Sequence, residues 1–94
     1  MTIWRRAARR DANEATIFKL ARAMGWLIWP TSKPVDAVGL YRGRWYVIEI
    51  KTEGGRLTQA QKDFSVAVAC AHGELLIWRT NDDVLKDCGR LTGG

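Results

Sequence analysis

Residues 35–51, VDAVGLYRGRWYVIEIK, constrain the fold more than any other part of the chain. Two runs of strand-forming residues flank the dipeptide Arg42-Gly43, which is a turn signal. The stretch therefore reads as a β-hairpin, and the length of its turn sets which residues face each other. With a two-residue turn, Tyr41 pairs with Arg44, and counting back places Asp36 across from Glu49. Directly opposed residues share a face, with Cβ atoms about 4.5–5.5 Å apart. A three-residue loop with Gly43 in a bulge instead pairs Asp36 with Ile48 and separates the two acids. The two-residue turn accounts for more of the charge placed inside an apolar hairpin.

The rest of the chain reads around this hairpin. Residues 11–25 form a helix with Ile17, Leu20, Ala21 and Met24 on one apolar face and Gly25 as its stop. WLIW at 26–29 is a short strand ended by Pro30, and TSKP is a loop. After the hairpin, TEGGR at 52–56 is a flexible loop. A helix follows over 57–73, with Phe64, Ala67, Val68 and Ala71 turned inward. ELLIW at 74–78 is a buried strand, and residues 80–89 form a closing helix with Val84, Leu85 and Cys88 on one side. Gly93 and Gly94 read as a frayed end. A helix between the third and fourth strands makes that pair parallel. The expected fold is α/β: a three-strand antiparallel meander plus a parallel fourth strand, flanked by helices.

The chain has 94 residues, the size of one domain, with residues 1–10 as a basic arm and 11–94 as the folded unit. Fifteen Lys and Arg against ten Asp and Glu give a formal charge of +5, which favours a polyanionic partner. Arg5, Arg6, Arg9 and Arg10 in the arm, and Arg42, Arg44 and Arg56 around the hairpin tip and the following loop, are candidate phosphate contacts. Each also has a plain reading as a solvated surface arginine. No apolar run approaches the roughly 20 residues needed to span a membrane, and no signal-peptide core follows the arginines. No membrane partner is therefore expected, and a cytoplasmic location is.

Cys70 and Cys88 are not spaced as zinc ligands. They read as free thiols, with a disulfide between them as the other option. His72, just before Gly73, reads as a C-terminal cap. Of the five tryptophans, Trp26, Trp29 and Trp78 read as core. Trp45 shares the strand face of Glu49 and is open to a substrate or a partner subunit. Trp4 lies among the arginines, where it can stack on a base or be mobile.

Glu49 and Lys51 are two residues apart on one strand, so they share a face about 6.6 Å apart. Two carboxylates facing each other across a hairpin repel unless a cation lies between them. Hard oxygen ligands of this kind hold Mg²⁺, which takes substrate phosphate as a further ligand. A nearby ammonium can neutralise charge growing on that phosphate. The chain holds no phosphate-binding glycine loop, no serine–histidine–acid set and no dinucleotide fingerprint.

At these residues the chain resembles the PD-(D/E)XK nucleases, through Asp36 followed by Glu49-x-Lys51. From about Asp11 onward it is similar to the short, stand-alone, phage-type VRR-NUC branch. The residues that carry this are Glu14, Asp36, Gly39 with Gly43, Glu49 with Lys51, and Leu57-Thr58 with Gln61. Val35 departs from the family, which usually has Pro there, and TSKP replaces a Gly-rich approach.

The resemblance implies a restriction-endonuclease-like core. It implies a Mg²⁺-dependent endonuclease (Mn²⁺ substituting) that cuts branched or junction DNA, such as a Holliday junction, as a homodimer inside a bacterial or phage-infected cell. Asp36, Glu49 and the carbonyl of Ile50 would ligate the metal, Lys51 would be the catalytic lysine, and Glu14 an auxiliary ligand. Gln61 would steady the lysine or the phosphate. Without the resemblance, Asp11-x-x-Glu14 and Thr58-x-x-Gln61 both read as helix capping boxes. A non-catalytic basic nucleic-acid-binding module and a structural adaptor with an incidental charge triad are the competing readings.

Overall fold

The computed structural model describes residues 13–52 and 54–93. Among the described residues, three helices and four strands occur in the order α1 (Glu14–Ala23), β1 (Leu27–Pro30), β2 (Ala37–Tyr41), β3 (Arg44–Ile50), α2 (Gln59–Cys70), β4 (Leu75–Trp78) and α3 (Asn81–Gly93). The strands form one mixed sheet in sequence order. β1–β2 and β2–β3 are antiparallel and β3–β4 is parallel, as the chain pattern predicts. Among the described residues, no helix is long and apolar enough to cross a membrane.

The hairpin turn has two residues. Arg42 (φ +52°) and Gly43 (φ +84°) are both left-handed, which matches the right-handed twist of the strands they join. Tyr41 consequently pairs with Arg44, and the register runs back to Ala37 opposite Ile48.

One face of the sheet carries the core. Ile28, Ala37, Tyr41, Tyr46, Ile48, Ile50, Leu76 and Trp78 pack there against Ile17, Phe18 and Ala21 of α1 and Val84 and Cys88 of α3. Trp26 is the centre of this layer. It stacks on Tyr41 at 4.6 Å, meets Trp78 edge-on at 5.1 Å, and donates its indole N–H to Cys88 Sγ. The indole of Trp78 donates to Asp87 Oδ2, so both buried tryptophans satisfy their polar atom. Cys70 is exposed and Cys88 buried, and both are free thiols.

Several expectations are corrected. In α1, Phe18 is buried and Met24 is exposed. The helix ends at Ala23, and the chain reverses through Gly25 with bonds from Gly25 N–H to Arg22 and from Trp26 N–H to Ala21, so Met24 leaves the apolar stripe. Trp29 is exposed, because β1 is an edge strand and, among the described residues, none covers its outer face. In α3, Val84 and Cys88 are buried but Leu85 is exposed, and the helix continues to Gly93 rather than ending at Gly89.

The largest departure is α2, which buries none of its residues. Phe64 and Val68 are half-buried, while Ala67 and Ala71 are exposed. The helix lies toward the β4 side of the sheet. It ends with His72 in the left-handed position (φ +64°) and Gly73 one residue later, its N–H bonded to Val68 O. The histidine thus caps the helix through its backbone conformation.

Candidate metal and phosphodiester site

The sheet face opposite the core carries Glu49, because residues alternate along β3 and Ile48 and Ile50 take the core side. Glu49 is nevertheless only 3 % exposed. Its Oε2 receives two donors, Lys51 Nζ at 3.2 Å and Gln61 Nε2 at 2.8 Å. Its Oε1 is buried with no hydrogen-bond partner. Such an atom forgoes its hydration, at a cost of about 1–3 kcal/mol.

Asp36 reaches Glu49 by a slightly different route from the one expected. The regular ladder ends at Ala37 and Ile48. One residue earlier, the Asp36 N–H bonds to Ile48 O at 3.1 Å, an offset of one in the manner of a bulge. Asp36 Oδ2 then accepts from the Ile50 N–H at 2.8 Å. Asp36 thus grips the strand on both sides of Glu49, with its carboxylate fixed beside the Glu49–Ile50 peptide. Burial pushes the Glu49 carboxyl above the ordinary glutamate range, and the negative charge of Asp36 adds to that push. The hydrogen bond and charge of Lys51 and the hydrogen bond of Gln61 oppose it without cancelling it.

Gln61 belongs to a capping box at the start of α2. Thr58 Oγ1 accepts from the Gln61 N–H, and Gln61 Oε1 accepts from the Thr58 N–H. The amide nitrogen of the same side chain is left to donate to Glu49. The capping and site readings of Gln61 are therefore compatible, and its partner in the site is the glutamate rather than the lysine.

No protein-family model, curated protein or solved structure matches this chain.

Other candidates fall differently. Glu14 is buried at the first position of α1, with Asn13 as N-cap. The Asp11 half of its expected capping box lies outside the described residues. Among the described residues, no three His, Cys, Asp or Glu side chains are grouped to hold a metal ion, so Glu14 is not a third member of an Asp36–Glu49 group. Arg42 and Arg44 are exposed at the hairpin tip, five residues or more along β3 from Glu49, a distance of roughly 17 Å. Arg56 is exposed on the loop after Lys51, at the site's end of the strand. Arg5, Arg6, Arg9 and Arg10 lie outside the described residues.

Two residues that sequence reasoning passed over hold the frame. Asn13 Nδ2 donates to Arg79 O at 2.8 Å and Lys51 O at 3.4 Å, tying the start of α1 to the ends of β3 and β4. Arg79 donates to the carbonyls of Thr52 and Gly55, which fixes the loop that follows Lys51. Neither sits in a periodic or motif-like pattern, so no sequence signal marks them.

The donor chemistry fits a hard divalent cation. The available side-chain atoms are carboxylate oxygens, one of them buried and unpartnered, and their mutual repulsion is what a cation would relieve.

Proposed function

We propose that this chain is a Mg²⁺-dependent nuclease that hydrolyses phosphodiester bonds in DNA, with branched or junction DNA as its substrate class. The observation that carries the reading is the divided state of Glu49: one carboxylate oxygen is held by Lys51 and Gln61, the other is buried and unpartnered, and the negative charge of Asp36 acts on the same carboxyl.

Asp36, Glu49 and the carbonyl of Ile50 would hold the ion, with Mn²⁺ able to replace Mg²⁺. A bound cation of this kind supplies Lewis-acid polarisation of the phosphodiester. The chain's own contributions are positional and electrostatic. Gln61 and Lys51 hold Oε2, which fixes the rotamer of Glu49 and keeps Oε1 available. Lys51 is partly exposed, with its ammonium at the edge of the carboxylate pair. There it can donate to a phosphate oxygen as negative charge builds on it. The +5 charge of the chain favours the encounter with DNA.

The test is incubation with junction, flap and linear duplex DNA, in Mg²⁺ or EDTA, beside a Lys51→Ala variant. Metal-dependent cleavage is expected, reduced by about 100-fold or more in the variant. Cleavage that survives Lys51→Ala removes the lysine from the reaction. DNA that is bound but never cut reassigns the chain as a basic binding module.

A further inference from the structure

We infer that the outer face of β1, β2 and β3 is the contact surface between two copies of this chain. The register places Leu27, Leu40 and Trp45 in one row across this face, and Trp29, Val38 and Val47 in the next. None of the six is charged. Strands that are apolar on both faces are those that a fold covers on both faces. Here α1 and α3 cover one side, and α2 lies toward β4 without burying a residue of its own. Trp29 is left 65 % exposed, Trp45 58 % and Leu27 50 %.

Area and shape favour a second copy as the occupant. The two indoles alone leave roughly 300 Å² of apolar surface open. With Leu27 and the half-buried Val38, Leu40 and Val47, the patch reaches roughly 400–500 Å². A standard interface buries about 800 Å² per partner, a little over half of it apolar, so the patch matches the apolar part of one such contact. The face is also self-complementary. Trp29 projects from it, and one strand away lies a hollow of about 280 Å³ lined by Val38, Trp45, Val47 and Val68. A two-fold axis lets each copy seat its Trp29 in the partner's hollow, an isologous contact. Nucleic acid is the poorer fit, because affinity for it comes mainly from cations that meet phosphate, and these rows carry none.

The experiment is sedimentation equilibrium on the full chain without DNA or metal, so its outcome does not depend on the nuclease reading. A mass of twice 10.6 kDa is expected at micromolar concentration. Trp29→Lys and Trp45→Lys should each weaken the dimer by about 100-fold, with unchanged far-UV circular dichroism. Leu27→Ser is a milder variant on the same row and should weaken it less. Leu85→Lys, which alters an exposed leucine of α3, should leave the mass unchanged. A monomer at every concentration up to about 100 μM overturns the proposal, as does a dimer indifferent to both tryptophan substitutions. A monomer whose DNA affinity falls in both tryptophan variants also overturns it, and gives the face to nucleic acid.

Discussion

Gln61 and Glu49 share one hydrogen bond, 2.8 Å from Nε2 to Oε2, and through it the start of α2 is locked to the candidate site. The same amide closes the capping box on Thr58 through its oxygen. Gln61→Glu separates the two roles. It keeps an acceptor for the Thr58 N–H but removes the donor to Glu49 and adds a like charge. Helix content should be unchanged, the Glu49 carboxyl should titrate higher still, and cleavage should fall about 10–100-fold. Gln61→Ala loses both bonds and should cost about 1–2 kcal/mol in urea denaturation. A Gln61→Glu variant with an unmoved Glu49 titration, followed by carbon NMR, would show that the contact carries no electrostatic weight.

The raised Glu49 carboxyl sets the sign of a pH effect. The folded chain binds that proton more tightly than the unfolded chain, whose glutamate has the ordinary value of 4.5. Stability therefore falls as pH rises from that value through the higher folded one, then levels off. Glu49→Gln imitates the protonated form. It should remove this slope and raise the melting temperature at neutral pH while abolishing cleavage, a trade of stability for function. Scanning calorimetry of both proteins from acid to neutral pH checks it. A Glu49→Gln protein that melts below the parent at pH 7 would mean that the Lys51 pair outweighs burial.

Glu49 and Lys51 were legible on one face because strand alternation admits no other arrangement, and the hairpin register followed from the two-residue turn. The offset of Asp36 was not legible, since nothing in VDA marks where a ladder stops. Of the stripe Phe64, Ala67, Val68 and Ala71 that the spacing turns inward, Phe64 and Val68 are half-buried and the two alanines are exposed. Periodicity tells which side of a helix is apolar, but not whether another element lies opposite, and among the described residues α2 buries none of its side chains. Trp29 reads as core for the same reason, yet lies exposed on the edge strand. Asn13 and Arg79 act through single long-range bonds to backbone carbonyls, which no local pattern encodes.

Metal binding should appear as stabilisation before any cleavage is measured. A cation bound only by the folded chain adds about 2.7 kcal/mol at 100 times its dissociation constant, which for a domain of this size is roughly 10 °C or more. Mg²⁺ should therefore raise the melting temperature of the parent chain. Glu49→Gln and Asp36→Asn should each remove the response. Glu14→Gln should preserve most of it, since Glu14 does not group with the other two acids. A Mg²⁺ response that persists in both Glu49→Gln and Asp36→Asn would place the ion elsewhere.

Gly39 is where the hairpin meets the core most closely. A Cβ added there would lie 2.7 Å from Ile48 Cδ1 and 2.9 Å from Trp26 Cε3. The end of Ile48 can rotate aside, but Trp26 is held between Tyr41 and Trp78. Gly39→Ala must then push the indole or bend β2, at a cost of about 1–3 kcal/mol. Gly43→Ala destabilises for another reason: nothing crowds the site, but φ of +84° disfavours a side chain. The two variants separate under urea denaturation monitored by tryptophan fluorescence. Gly39→Ala should alter the native emission, because Trp26 shifts, whereas Gly43→Ala should lower the midpoint with the native spectrum intact. A Gly39→Ala protein as stable as the parent would mean that the indole is free to move, and that the aromatic layer under the candidate site is looser than its packing implies.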